Sequence, residues 1–361
     1  MIDGGLNIIS GLLALVSITA TIASLIRWDD WWIRMFDFPR LQITFITLAA
    51  MAMLLVQFNH LVLWQGVLLG LLLISLGYQL LKIFPYTFLA KKQVLDYKGS
   101  EDKTLSLLIS NVLTTNRKTN KVIQLVKENN PDILLTLETD SRWEKELEVL
   151  EEKYRYTVKV PLDNFYGMHL YSKLELKDME VMFLISDDIP SIHGDVILNS
   201  GDKVEIHCLH PMPPSPTETD TSTDRDAELL VVGKSIDAEK GPVLVFGDLN
   251  DVAWSRTTKL FQELSGLLDP RIGRGFFNTF HAGFILFRWP LDHIFHSKDF
   301  MVKSIRRLRN IGSDHFPMHI VLHLEPRAKQ VQEGPDEADQ EEKERADEKI
   351  EKADPKQENI D

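Results

Sequence analysis

Pro242-Val243-Leu244-Val245-Phe246-Gly247-Asp248-Leu249-Asn250-Asp251 is the stretch from which the rest of the chain can be read. An apolar run of strand length ends on Gly247 and then presents Asp248 and Asn250 two positions apart, so both side chains leave on the same side. A carboxylate beside a neutral amide suits a point where the first takes a proton from water or holds a hard cation, while the second donates to a phosphate oxygen. A plain strand-end turn accounts for the same residues, because Gly, Asp and Asn are common turn formers. Ser255 follows as the N-cap of a helix predicted over 256–264.

Five other stretches repeat the pattern. Gly312-Ser313-Asp314-His315-Phe316-Pro317 stands before a strand-like run at 318–322 and supplies a carboxylate and a titratable imidazole. Leu135-Thr136-Leu137-Glu138-Thr139 closes an apolar strand on a carboxylate, and Pro290-Leu291-Asp292-His293-Ile294-Phe295 opens one. Leu105-Ser106-Leu107-Leu108-Ile109-Ser110-Asn111 closes a strand on an amide. Val204-Glu205-Ile206-His207-Cys208-Leu209-His210 alternates as a half-buried strand with His210 at its end, before a loop rich in Pro, Ser and Thr.

In this order the set resembles the endonuclease/exonuclease/phosphatase superfamily, the DNase I-like phosphoesterases, over roughly 105–324. The resemblance implies a four-layer α/β sandwich, two packed β-sheets flanked by helices, with the site residues meeting at one rim. It also implies hydrolysis of a phosphoester with Mg²⁺, or Mn²⁺ in its place. By it, Glu138 is the principal metal ligand, assisted by Asp314 and Asn111, and Asp248 orients or deprotonates water. Asn250 and His210 bind the phosphate, with His207 the competing imidazole inside the strand. Asp292 fixes the tautomer of His315, whose role as base or transition-state stabiliser stays open. Leu137 stands where the family often has Gln, which leaves the ligand Glu138 intact. A catalytically silent scaffold would lack one of these positions, and none is missing.

The catalytic segment is bounded as 104–324. Before it, residues 6–26 and 41–81 carry no charged side chain, which predicts three transmembrane helices within 1–82 and a connector over 83–103. Asn59-His60 is the expected turn between the second and third, and Trp28, Trp31, Trp32 and Trp64 are expected interfacial anchors. A cleaved signal peptide fits poorly, because Met1-Ile2-Asp3 lacks positive charge. Arg27, Arg34, Arg40, Lys82, Lys91 and Lys92 all fall on the side of the catalytic segment, so the positive-inside rule places that segment in the cytoplasm of a multi-pass cell-membrane protein. Similar three-span relatives that act on polyprenyl pyrophosphates place theirs outside. The lone Cys208 forms no internal disulfide. Residues 325–361 hold fourteen Asp and Glu against seven Lys and Arg, −7 of the chain's net −13, and read as an acidic, disordered or frayed tail.

Substrate choice is not written in the metal-site residues. A nuclease needs a basic strip, for which Lys303, Arg306, Arg307 and Arg309 are the candidates. Three spans instead favour the lipid bilayer as partner and a lipid-linked phosphoester, a phospholipid or prenyl pyrophosphate, over DNA or RNA; no protein partner is implied. The run 284–289 is expected as a core strand, or as the lining of a groove for an acyl or prenyl chain.

Overall fold

The computed structural model describes residues 2–56, 63–99 and 103–353. Helices α1 (Ile2–Leu25), α3 (Arg40–Val56) and α4 (Leu63–Ile83) form an apolar bundle, with the short α2 (Trp31–Arg34) between the first two. Gly5–Leu25 and Leu63–Tyr86 are long and apolar enough to cross a membrane. A third span is reached only if Trp31–Asp37 and Arg40–Val56, bent by 71°, count as one. The turn expected at Asn59-His60 lies outside the described residues.

Polar groups inside the bundle pair with one another. Ser17 and Thr47 lie 2.5 Å apart, Thr21 and Ser75 2.6 Å, and Gln79 donates to Thr21 over 2.9 Å. Arg40 reaches Gln79 over 3.1 Å and Asp37 over 2.7 Å. Such pairing is what an apolar solvent demands of buried polar side chains.

The remaining elements in chain order are β1 (Thr104–Asn111), α5 (Thr119–Asn129), β2 (Ile133–Leu137), α6 (Ser141–Leu147), β3 (Tyr156–Val160), β4 (Met168–Ser172), β5 (Glu175–Met182), β6 (Ser191–Ile197), β7 (Lys203–Leu209), α7 (Thr223–Ser235), β8 (Val243–Asp248), α8 (Arg256–Ser265), β9 (Asp292–His296), β10 (Phe300–Arg307), β11 (Met318–Leu324) and α9 (Gln340–Ala353). They build a six-stranded sheet, β10-β11-β1-β2-β4-β3, and a five-stranded one, β5-β6-β7-β8-β9. The sheets face each other across a core that includes Leu107, Ile109, Leu135, Ile206, Phe246 and Ile320. Amphipathic α5 and α6 cover the first sheet through Val122, Leu125 and Trp143, and α7 and α8 cover the second through Leu229, Val232 and Phe261. The result is the four-layer α/β sandwich.

Each sheet contains one parallel pair, β1 with β2 and β7 with β8, and all other pairs are antiparallel. The carboxyl ends of these parallel pairs carry Asn111, Glu138, His210 and Asp248. Crevices outside the carboxyl ends of parallel strands are where such sheets collect their ligands.

The sandwich sits directly on the end of the bundle. Trp254 donates to the carbonyl of Asp37 over 2.7 Å, Tyr86 to that of Ala253 over 2.6 Å, and Arg256 to that of Ser24 over 2.8 Å.

Two expectations are corrected here. The acidic tail is not wholly disordered: α9 packs on α7, with Ala346 fully buried and Ile350 and Ala353 against the same cluster as Leu229 and Val232. Ala346, Ile350 and Ala353 are spaced as one helical stripe, too thin to stand out against the surrounding charge. Lys349 secures the helix by pairing with Asp29 over 2.7 Å and Asp226 over 2.6 Å.

The run 284–289 is no core strand. His281 donates to Phe287 over 2.9 Å and Phe280 bridges to Trp289, so the chain doubles back. Phe284, Ile285, Leu286 and Phe287 at the tip are 61%, 75%, 72% and 57% exposed, and none of them lines the cleft at the carboxyl ends of the parallel strands.

Candidate active site

Where the strands end, the backbone has to turn sharply to aim its polar side chains. Gly247 has φ +152°, and a Cβ there would stand 1.9 Å from the Leu209 carbonyl oxygen, so β7 and β8 approach more closely than any side chain allows. Glu138 and Asn250 sit in the left-handed region at φ +58° and +50°. For non-glycine residues this costs on the order of 1 kcal/mol or more each and is typical of positions held for their side chains.

Eight side chains converge on a cleft of about 380 Å³. Glu138, His210, Asp248, Asn250, Asp314 and His315 line it. Asn111 donates to Glu138 over 2.8 Å and to Asp248 over 3.2 Å. Asp292, opposite Asp248 in the β8–β9 register, backs His315, with Asp292 Oδ2 2.9 Å from Nδ1. The other ring nitrogen, Nε2, lies 3.4 Å from Asp248 Oδ2. His210 Nε2 lies 4.0 Å from the same oxygen. All eight residues singled out from the sequence therefore meet at one rim. His207 does not: it is bonded to His193 over 2.7 Å and to Glu205 over 3.0 Å inside the second sheet.

Electrostatics separates these groups. Burial pushes the Glu138 carboxyl up to about 7, and the neighbouring Asp314 and Asp248 add to this. Burial likewise raises Asp248, against the pull of His315. Burial works to lower His315, but Asp248 and Asp292 together overcome it and carry the imidazole up to about 10. Burial lowers His210 to about 4, which leaves it neutral near pH 7.

The donor set fits a divalent cation at Glu138. Its Oε2 is buried with no hydrogen-bond partner among the described residues, and the carboxylates of Asp314 and Asp248 stand close enough to raise its proton affinity. A hard ion held by one or two carboxylates and water relieves both conditions. Asp248, Asp292 and His315 also place one ligand atom each within 4.8 Å of one another. Both ring nitrogens of His315 face carboxylates, and an imidazolium has no lone pair to offer, so Glu138 is the better seat.

Sequence reading missed several contributors. Arg225 on α7 donates to the carbonyl of Asn250 over 2.9 Å and is clamped by Asp226 at 2.6 Å, so it holds the loop after β8 from behind. Thr279 Oγ1 accepts from the Leu291 and Asp292 amides over 3.3 and 3.2 Å. Phe38, from the loop that leads into α3, forms part of the cleft wall beside Phe280 and Leu291. Nothing in the local sequence of Phe38 marks it, since the contact spans most of the chain. The expected basic strip is largely engaged: Arg309 pairs with Glu128, Arg306 reaches Asn129 over 3.3 Å, and Arg307 donates to the Asn278 carbonyl over 2.7 Å.

The family model described as "Endonuclease/Exonuclease/phosphatase family" matches residues 108–315. No curated protein sequence matches the chain. Among solved structures, TDP2 of D. rerio, complexed with single-strand DNA product, shares 15% identity at a TM-score of 0.50, covering 62% of this chain and all (100%) of its own. The human Nocturnin catalytic domain with bound sulfate shares 17% identity at a TM-score of 0.51, covering 66% of this chain and 99% of its own. A functionally unknown conserved protein of Enterococcus faecalis V583 shares 15% identity at a TM-score of 0.50, covering 61% of this chain and 100% of its own. At these identities the likeness is one of fold.

Proposed function

Because the chain belongs to the endonuclease/exonuclease/phosphatase family of metal-dependent phosphoester hydrolases, we propose that it is a membrane-anchored, Mg²⁺-dependent phosphoesterase acting on a membrane-associated phosphodiester or pyrophosphate. The observation that carries this reading is Phe38. It stands two residues before α3 and yet forms a wall of the catalytic cleft, so the cleft opens beside the end of the apolar bundle. A phospholipid or a prenyl pyrophosphate presents its phosphate at that level.

In this reading Glu138, Asp314 and Asn111 would hold the ion, whose charge would neutralise phosphate oxygens and so lower the barrier to attack on an anionic ester. Asp248 orients the attacking water and takes its proton, its buried carboxylate having a raised proton affinity suited to a base. His315, at about 10, keeps its proton near pH 7 and donates from Nε2 to a non-bridging oxygen. Asp292 holds the imidazolium in place through Nδ1. His210 and the Asn250 amide fix the phosphate, Asn250 being itself anchored to the Pro211 carbonyl over 3.0 Å.

Surface-dilution kinetics on the full-length protein test the reading. A phospholipid or prenyl pyrophosphate in mixed micelles should turn over at a rate set by its surface mole fraction, because tethering confines enzyme and substrate to one surface. Asp248→Ala and His315→Ala should each lower kcat by at least about 10²-fold. Efficient, salt-inhibited cleavage of DNA or RNA without lipid turnover would refute it.

A further inference from the structure

A second cavity, of about 400 Å³, shares no lining residue with the catalytic cleft. It lies where the bundle, α8 and α9 meet, with Arg27, Lys82, Arg256, Lys259, Lys349 and Lys352 among its walls. Eight Lys and Arg line it against four Asp and Glu, and acids in and behind the wall already pair with five of these cations: Arg27 and Arg345 with Glu341, Arg34 with Asp37, Lys259 with Glu263, and Lys349 with Asp29 and Asp226. Asp29 and Glu263 are the lining acids so engaged. Lys82 and Lys352 have no carboxylate within ion-pair distance among the described residues, and the guanidinium of Arg256 is spent on carbonyls at the end of α1, those of Ile26 and Ser24. Among the described residues Lys82, Lys352 and Arg256 are therefore the lining cations left without an acid, against Glu342 and Glu348, and a phosphate is the group that these three would receive.

The position says which anion. Lys82 is in the last turn of α4, and Arg27 follows the end of α1 by two residues, so the mouth is level with the ends of the two helices long enough to cross a membrane. Beside these cations the helices turn bare apolar side chains outward, Leu25 at 51% and Leu81 at 77% exposure, and Trp28 at 59% stands next to Arg27. A ligand with a charged phosphate for the cavity and hydrocarbon for those flanks meets both demands, which a soluble phosphate does not. Basic pockets at the ends of membrane helices take lipid head groups on this principle.

We propose that this cavity is a binding site for the phosphate head group of an anionic phospholipid, with its acyl chains lying along α1 and α4. The acidic-looking tail is then part of a lipid site, because α9 contributes Lys349 and Lys352 to its wall. The site holds a lipid as a bound ligand and does not depend on which phosphoester the catalytic cleft hydrolyses.

The test uses the full-length protein extracted from nanodiscs containing equal parts of phosphatidylglycerol and phosphatidylcholine, with retained lipid measured by native mass spectrometry. Phosphatidylglycerol should be retained preferentially. Each interfacial Lys favours an anionic lipid by about fivefold, so Lys82→Gln combined with Lys352→Gln should reduce that preference by roughly 25-fold. Among the described residues neither side chain makes an ion pair, and circular dichroism with melting temperature checks that the variant is folded. Lys82→Arg with Lys352→Arg should restore the preference. Equal retention of both lipids by the wild type, or a preference untouched in the Gln variant, would overturn the proposal. So would inorganic phosphate binding that depends on Lys82 and Lys352 while phosphatidylglycerol is not retained, since the site would then serve a soluble anion.

Discussion

Replacing Asp292 with Asn tests the electrostatic core of the site. His315 is raised from 6.5 to about 10 by two carboxylates, Asp292 at 2.9 Å and Asp248 at 3.4 Å, working against burial. The net rise corresponds to about 5 kcal/mol favouring the imidazolium, at about 1.4 kcal/mol per pH unit. Since burial opposes it, the two carboxylates together contribute more than this, and the nearer, hydrogen-bonded one contributes at least a comparable share. Asp292→Asn should therefore bring His315 down by at least about two pH units, to about 8 or lower. The Asn amide also no longer selects the ring orientation, so kcat should fall on the order of 10²- to 10⁴-fold. Titration of the His315 imidazole resonance by NMR in metal-free protein, assigned by its loss in His315→Asn, measures the first effect, and the alkaline limb of kcat/KM against pH measures the second. An Asp292→Asn titration coincident with wild type would refute the account of what holds the proton on His315.

Further consequences follow from particular side chains. Glu138 titrates at about 7 and must lose its proton to bind a cation, so Mg²⁺ or Mn²⁺ affinity should rise about tenfold per pH unit up to that value and then level off. Glu138→Gln should abolish the dependence and weaken binding, both read by isothermal titration. Glu228 is buried in α7, has an Oε1 with no hydrogen-bond partner among the described residues and is raised by burial to about 8. Its folded value lies above the unfolded one near 4.5, so its ionisation costs stability progressively as pH rises from 4.5 and fully above 8. Glu228→Gln should accordingly stabilise by an amount that grows with pH to at most about 5 kcal/mol, and a melting-temperature gain equal at pH 5 and pH 8.5 would contradict this. Ala346→Glu would bury a charge between α9 and α7, so trypsin should cut at Lys343 and Arg345 much faster than in wild type.

How much of this was legible in advance differs by element. The strands that carry the site, β1, β2, β7, β8, β9 and β11, and the residues at their ends could be read from sequence, because an apolar run fixes a strand's location locally and a Gly, Asp, Asn or Glu at its end departs from that run. Ser255 as N-cap is as local, its side chain accepting from the Thr258 amide over 2.9 Å. Residues 284–289 misled because hydrophobicity records an aversion to water and not what meets it: the turn closed by Phe280 and Trp289 turns the same side chains outward. The tail misled for the opposite reason, since its three apolar residues acquire meaning only once α7 offers a surface to receive them.

The order of residues was enough to show that the first 82 are apolar enough for helices of membrane length and, through a family resemblance, to pick out a phosphoesterase's carboxylates, amides and imidazoles in sequence. What tertiary structure alone decided is how the two parts meet. Phe38 in the catalytic wall, Arg225 behind Asn250 and Lys349 between Asp29 and Asp226 each join residues far apart in the chain. Such pairings depend on the packing of whole layers, which no local periodicity encodes, whereas a strand end or a helix cap is settled by the few residues around it.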